Sequence, residues 1–100
     1  MDAVVTGAGR GLGRAVTQTL ARAGWTVWIC SNDAEELETT AAMIIEGGGD
    51  AKSFVVDLAS VEECRTFADA VKRDVGQLRA LVNNAAVLSL TSVEQLTEQE

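Results

Sequence analysis

The sequence predicts an α/β protein built on a doubly wound parallel sheet, for three reasons. Short apolar runs rich in valine, isoleucine, threonine and tryptophan alternate with stretches of helical period. Each strand reaches the next through a helix, which requires parallel strands and right-handed crossovers. The unusual residue clusters all fall at carboxyl ends of strands, where such a sheet takes its ligand: the glycines of 7–13, Ser31 with Asn32, Asp57, and 83–86.

The first strand is Ala3 to Thr6, an apolar run that stops abruptly at the glycines. Leu12, Ala15, Val16, Thr19, Leu20 and Ala23 then recur at spacings of three and four, one face of a helix ended by Gly24. Trp25 to Cys30 suits a pleated, mostly buried surface and forms the second strand. The second helix is expected over Asp33 to Glu46. Asp33 caps it, acids fill its first turn, and Leu37, Ala41 and Ile44 make its apolar stripe before Gly47, Gly48 and Gly49 stop it. Ala51 to Val56 is the third strand. Ser60 with Glu63 forms a capping box for a third helix whose stripe is Val61, Cys64, Ala68 and Val71 and which Gly76 closes. Arg79 to Asn83 completes a fourth strand. No linker, internal repeat or low-complexity tract interrupts the series, so residues 1–100 are expected to form a single domain.

Composition narrows the function. With 47% hydrophobic and 23% charged residues, the chain is expected to be globular. Fifteen acidic residues against eight basic ones give a net charge of −7, and the basic ones are scattered, so no patch exists to neutralise nucleic-acid phosphates. The longest uncharged stretch, Ala80 to Val93, contains Asn83 and Asn84 and is shorter than the roughly 18 apolar residues of a membrane span. Residues 1–15 lack a basic start followed by an apolar run, which makes a cytoplasmic location the expectation. Cys30 and Cys64 are expected to be buried, reduced thiols, and the absence of histidine leaves no metal set to complete.

The glycine run fits one phosphate-loop pattern of three. A Walker loop needs a lysine, and none precedes Lys52; G-x-G-x-x-G would need glycine at 12 or 14, which hold Leu12 and Arg14. G-x-x-x-G-x-G fits with Gly7, Gly11 and Gly13. Gly7 turns the chain out of the strand, Gly11 lets the main chain approach a pyrophosphate, and Gly13 lets the helix pack closely on the sheet. Amides at the helix start, Leu12 among them, then face the anion. An ordinary glycine-rich turn is the competing explanation.

Three ordered motifs, TGAGRGLG at 6–13, VVDL at 55–58 and NNAA at 83–86, resemble the signature TGxxxGxG, D-[LV] and NNAG of the short-chain dehydrogenase/reductase family. The resemblance spans essentially the whole chain. It implies a Rossmann-type sheet, a nicotinamide dinucleotide cofactor, hydride transfer to or from a carbonyl or alcohol, and a full-length parent that assembles as a homo-oligomer. It further implies that Asp57 accepts a hydrogen bond from the adenine amino group with the Leu58 amide beside it. The backbone of Asn83, Asn84 and Ala85 is expected to line the adenosine ribose, with the asparagine side chains bracing the central strands. Ala86 stands where the family usually has glycine. For Asp57 a second reading is a carboxylate that satisfies turn or helix amides.

The cofactor preference turns on the end of the second strand, which either repels or accepts a 2′-phosphate. By the resemblance, Ser31 occupies the place of the acid usual in NAD enzymes; Asn32 follows, and Arg10 precedes Gly11 in the loop. This pattern favours NADP over NAD. Against it, Asn32 stands where many NADP enzymes carry a second arginine, Asp33 is near, and Arg10 is open to reading as a solvated loop residue.

The family's chemistry depends on a serine and a Tyr-x-x-x-Lys helix. The chain has no tyrosine, and Ser89 and Ser92 follow the NNAA segment too closely to be that serine. No catalytic residue is assigned, and the 100 residues alone are expected to be inactive. A capping box at Thr97 and Glu100 with no helix to follow suggests a sheet truncated after about four strands, exposing Leu81 and Val82 on an edge, and strand one is short enough to lack leading residues. Three functions remain open: the cofactor-binding part of an NADP-favouring oxidoreductase, a noncatalytic nucleotide-binding or interaction module, and a fold without a ligand.

Overall fold

The computed structural model describes residues 1–83. The order is β1 (Asp2–Thr6), α1 (Gly11–Arg22), β2 (Thr26–Ser31), α2 (Ala34–Glu46), β3 (Asp50–Val55), α3 (Val61–Asp74) and β4 (Leu78–Asn83). The four strands form one parallel sheet in the order β3-β2-β1-β4. The reversal of direction after β3 makes the neighbouring carboxyl ends of β1 and β4 the switch point of the sheet.

Alternation along the strands divides the core. Val5, Val27 and Ile29 point to the face covered by α1 and α2, where Leu37, Ile44, Leu20 and Ala21 meet them. Val4, Trp28 and Cys30 point to the other face and pack with Val56 and with Phe67, Val71 and Val75 of and after α3. Phe54 joins this second cluster, stacked on Trp28 at 6.0 Å and tilted against Phe67 at 5.1 Å. Both faces of β1 and β2 are thus covered, which is why these strands read as continuous apolar runs.

The helix starts confirm the capping signals. Asp33 accepts the amide of Glu36 at 2.9 Å and Ser60 that of Glu63 at 3.1 Å. The Glu63 carboxylate, however, reaches past Ser60 to the amide of Asp57, 2.8 Å away. α2 ends with Gly47 as its cap and Gly48 at φ +88°, a left-handed conformation that glycine adopts without penalty. α3 ends at Asp74, so Gly76 follows the helix rather than closing it.

Two expected stripes are displaced. In α1 the buried positions are Gly13 and Thr17, with Leu20 and Ala21 partly covered, whereas Leu12 is 69% exposed and Ala15, Thr19 and Ala23 are also exposed. Glycine at 13 lets the backbone approach the sheet, and Thr17 fits because its hydroxyl donates to the Gly13 carbonyl at 2.7 Å. The largest apolar side chains therefore do not mark this face. In α3 the inward residues are Phe67, Ala70 and Val71, while Val61 is 67% exposed and Ala68 is exposed. Phe67 fixes the rotation of the helix, because its ring completes the aromatic stack. Cys30 is fully buried and Cys64 only half-buried; both are free thiols, so the expectation of two buried cysteines holds for one.

Candidate functional site

Parallel register brings the chemistry-bearing ends of the strands together. Thr6 lies opposite Cys30 on one side and Asn83 on the other, and Ser31 lies opposite Val55. The loop after β1 is tied to β2 by the Ala8 amide on the Cys30 carbonyl at 3.1 Å, and the segment after β3 by the Val56 amide on the Ser31 carbonyl at 2.9 Å. Gly7 to Gly13, Ser31, Asn32, Asp57 and Asn83 consequently share one edge of the sheet.

The glycine loop has the backbone its sequence demands. Gly7 and Gly11 take φ of +67° and +57°, left-handed conformations costly to other residues. A Cβ on Gly11 would meet nothing within 4 Å, so the main chain there faces open space. Gly13 is buried within α1. Gly9 is constrained by packing: its Cβ would lie 3.0 Å from Ser31 Oγ and 3.1 Å from Glu36 Cβ.

α1 differs from its neighbours at its amino terminus. α2 and α3 are each capped by a side chain and carry two glutamates in the first turn. α1 starts after Arg10 with no side-chain cap and no acid in its first turn. The amides of Gly11, Leu12 and Gly13 and the positive end of the helix are left for an anion from outside the helix.

Arg14, Thr40 and Gly9 were not singled out by the sequence, yet they hold the loop. Arg14 donates through Nε to the Thr40 hydroxyl at 2.8 Å and through its terminal nitrogen to the carbonyls of Gly9 and Glu36. Thr40 is fully buried, with its hydroxyl 2.9 Å from the Ala8 carbonyl and 3.2 Å from that of Gly9. The fourth glycine of the loop was the one visible signal; a buried threonine on α2 gave none.

At the end of β2, Ser31 is buried and its hydroxyl accepts the Asp33 amide at 3.1 Å, while Asn32 is exposed. The Arg10 side chain is 82% exposed, with Nε 3.9 Å from the Glu36 carboxylate. After β3, Asp57 Oδ1 accepts the Ala59 amide at 2.9 Å, so the turn role is real, and the residue is exposed. Leu58 is partly exposed. Asn83 braces the sheet: its Oδ1 accepts the Thr6 hydroxyl at 3.0 Å across β1 and β4. Asn84, Ala85 and Ala86 lie outside the described residues.

Beneath the loop, burial pushes the Cys30 thiol up to about 11, against a smaller opposing pull from the Gly7 backbone. Cys64 is also raised, first by burial and then by the carboxylates of Asp57 and Glu63. Both shifts favour the neutral thiol over the reactive thiolate. A concavity of about 460 Å³ opens at the opposite, amino-terminal end of the strands, between Asp2, Asp50 and Asp74. Its carboxylates repel a diphosphate, so the cleft is not the place for one. No group of three or more acidic or cysteine side chains suited to a metal occurs among the described residues, and no helix there is long and apolar enough to cross a membrane.

Sheet order, crossovers and the glycine loop define a Rossmann-type α/β fold. The chain belongs to the short chain dehydrogenase family, whose model matches residues 2–100. It is 38% identical to a metagenomic short-chain oxidoreductase solved in complex with NADP, with a TM-score of 0.83 over 87% of this chain and 39% of that one. An NAD+-bound xylitol dehydrogenase is 36% identical, with a TM-score of 0.80 over 86% of this chain and 33% of that one. D-threitol dehydrogenase of Mycolicibacterium smegmatis is 34% identical over 98 residues, which are 98% of this chain and 38% of that protein. The chain thus spans well under half the length of these relatives.

Proposed function

We propose that residues 1–100 are the partial, dinucleotide-binding domain of an NAD(P)-dependent oxidoreductase, with NADP favoured over NAD. The observation that carries this reading is the uncapped, acid-free start of α1 behind a loop held in left-handed turns at Gly7 and Gly11. The two other helices among the described residues are capped by their own side chains, so among these three the open end belongs to the helix behind the glycine loop.

The residues present fit such a cofactor. The amides of Gly11, Leu12 and Gly13 receive the diphosphate, and the open space over Gly11 admits it. Asp57 offers Oδ2 to the adenine amino group with Leu58 beside it, Oδ1 being held by Ala59. Asn83, fixed by Thr6, offers its backbone to the adenosine ribose; Asn84, Ala85 and Ala86 belong to the proposed cofactor site by the family resemblance alone. Ser31, Asn32 and Arg10 surround the 2′ position; the exposed guanidinium and the lack of an acid at 31 support NADP. The NADP complex of the metagenomic relative agrees with this preference, and the NAD+-bound relative shows that the same fold takes either cofactor.

A nicotinamide dinucleotide supplies or accepts hydride at a carbonyl or alcohol carbon. This chain contributes the binding and orientation of that group. Homo-oligomeric assembly of the parent belongs to the same proposal and rests on the family resemblance.

Titration of the intact protein with NADPH and NADH, followed by cofactor fluorescence, tests the reading. Saturable binding that Gly11→Val abolishes is expected. Equal binding by the Gly11→Val variant would overturn it, because that side chain closes the approach and opposes the φ of +57°.

A further inference from the structure

The sequence places no acid at position 31, but the fold brings one from α2 to the adjoining glycine loop. α2 folds back so that its first turn covers the glycine loop. The Glu36 amide donates to Asp33 Oδ1 at 2.9 Å, and the Glu36 carbonyl accepts from the Arg14 guanidinium at 3.3 Å. Two partners, Asp33 and Arg14, therefore fix the backbone from which the Glu36 side chain projects. That side chain lies over Gly9, whose Cβ would stand 3.1 Å from Glu36 Cβ, 3.4 Å from Glu36 Oε1 and 3.0 Å from Ser31 Oγ. Glu36 Oε1 is 3.9 Å from Arg10 Nε. One carboxylate thus lies beside the cation that would meet a 2′-phosphate and over Gly9, the glycine that Ser31 also faces.

We propose that Glu36 is a specificity-determining residue, which limits how strongly the site prefers a 2′-phosphate over a 2′-hydroxyl. The inference rests on the dinucleotide reading above. Its physics is charge: the carboxylate partly neutralises Arg10 and adds a negative charge near the phosphate dianion. The Arg10 pair is long and exposed, so the guanidinium can turn to a phosphate at little cost. Glu36 sits on an anchored helix turn, so its carboxylate stays within a side-chain length of the loop in any rotamer. A 2′-hydroxyl carries no charge and feels little of this.

The test is a pair of binding titrations, NADPH and NADH, on the intact protein and on Glu36→Gln, which keeps shape and length but removes the charge. NADPH should bind about fivefold more tightly to the variant at low salt, and NADH should change less than about twofold. The NADPH gain should shrink as added salt shortens the screening length. Glu36→Ala should show the same change in the NADPH to NADH ratio, so a folding defect in one variant leaves the other to decide. If the protein binds dinucleotide but the ratio is the same in wild type and variants, the role of Glu36 is overturned and the dinucleotide reading stands. If neither cofactor binds wild type or variant, both are overturned.

Discussion

Arg14 and Thr40, 26 residues apart, are joined by a 2.8 Å hydrogen bond that fastens the glycine loop to α2. The Thr40 hydroxyl receives the guanidinium and passes its own proton toward the Ala8 carbonyl, so one buried side chain links the first helix, the loop and the second helix. The shape of the glycine loop is therefore set partly by α2, a helix distant from it in sequence.

Thr40→Val should destabilise the protein by about 1–3 kcal/mol, because it keeps the volume but removes an acceptor for Arg14 and a donor for Ala8. Urea unfolding measures this, and the midpoint should fall with little change in slope. A variant as stable as wild type would show that the bond contributes nothing net.

Gly9→Ala and Gly11→Ala should differ in kind. At Gly11 there is room for a methyl group, so the cost is the left-handed backbone, about 1–2 kcal/mol. At Gly9 the φ is not left-handed and the cost comes from pushing Ser31 and Glu36 apart. Parallel thermal melts and cofactor titrations should show Gly11→Ala losing affinity through misplaced amides, and Gly9→Ala losing stability together with a changed NADPH to NADH ratio.

Cys30 gives the protein an alkaline limit. Its thiol is held up to about 11 from an ordinary value of 9.0, so the unfolded state releases its proton first as pH rises. The stability contribution is complete below pH 9 and is lost between pH 9 and about 11. The loss is on the order of 2 kcal/mol. Unfolding free energies measured across that range should decline in wild type and decline less in Cys30→Ala. Cys64, half-buried, should react with an alkylating reagent before Cys30 does.

Trp28 donates from Nε1 to Asp2 Oδ1 at 3.1 Å while its ring stacks on Phe54. Trp28→Phe keeps most of the stack and loses the hydrogen bond, which should cost about 1 kcal/mol in a denaturant titration.

The succession of strands and helices along the chain was legible because apolar runs, the caps at Asp33 and Ser60 and the glycines after α1 and α2 agree. The caps at Asp33 and Ser60 were readable residue by residue, since a cap depends on local geometry alone. Rotations of α1 and α3 were not, because Gly13, Thr17 and Phe67 face inward for reasons of close approach and ring packing set by the opposite sheet face. The site shows the same division. Gly7 and Gly11 announce their turns in sequence, whereas the tie from Arg14 to Thr40 and the carboxylate of Glu36 over Gly9 exist only after α2 has folded back onto the loop.

A crystal structure of the protein with NADP addresses the central claim most directly. The diphosphate should lie within hydrogen-bonding distance of the amides of Gly11, Leu12 and Gly13, at the uncapped end of α1. A dinucleotide bound elsewhere, or those amides covered by side chains of the protein itself, would contradict the assignment.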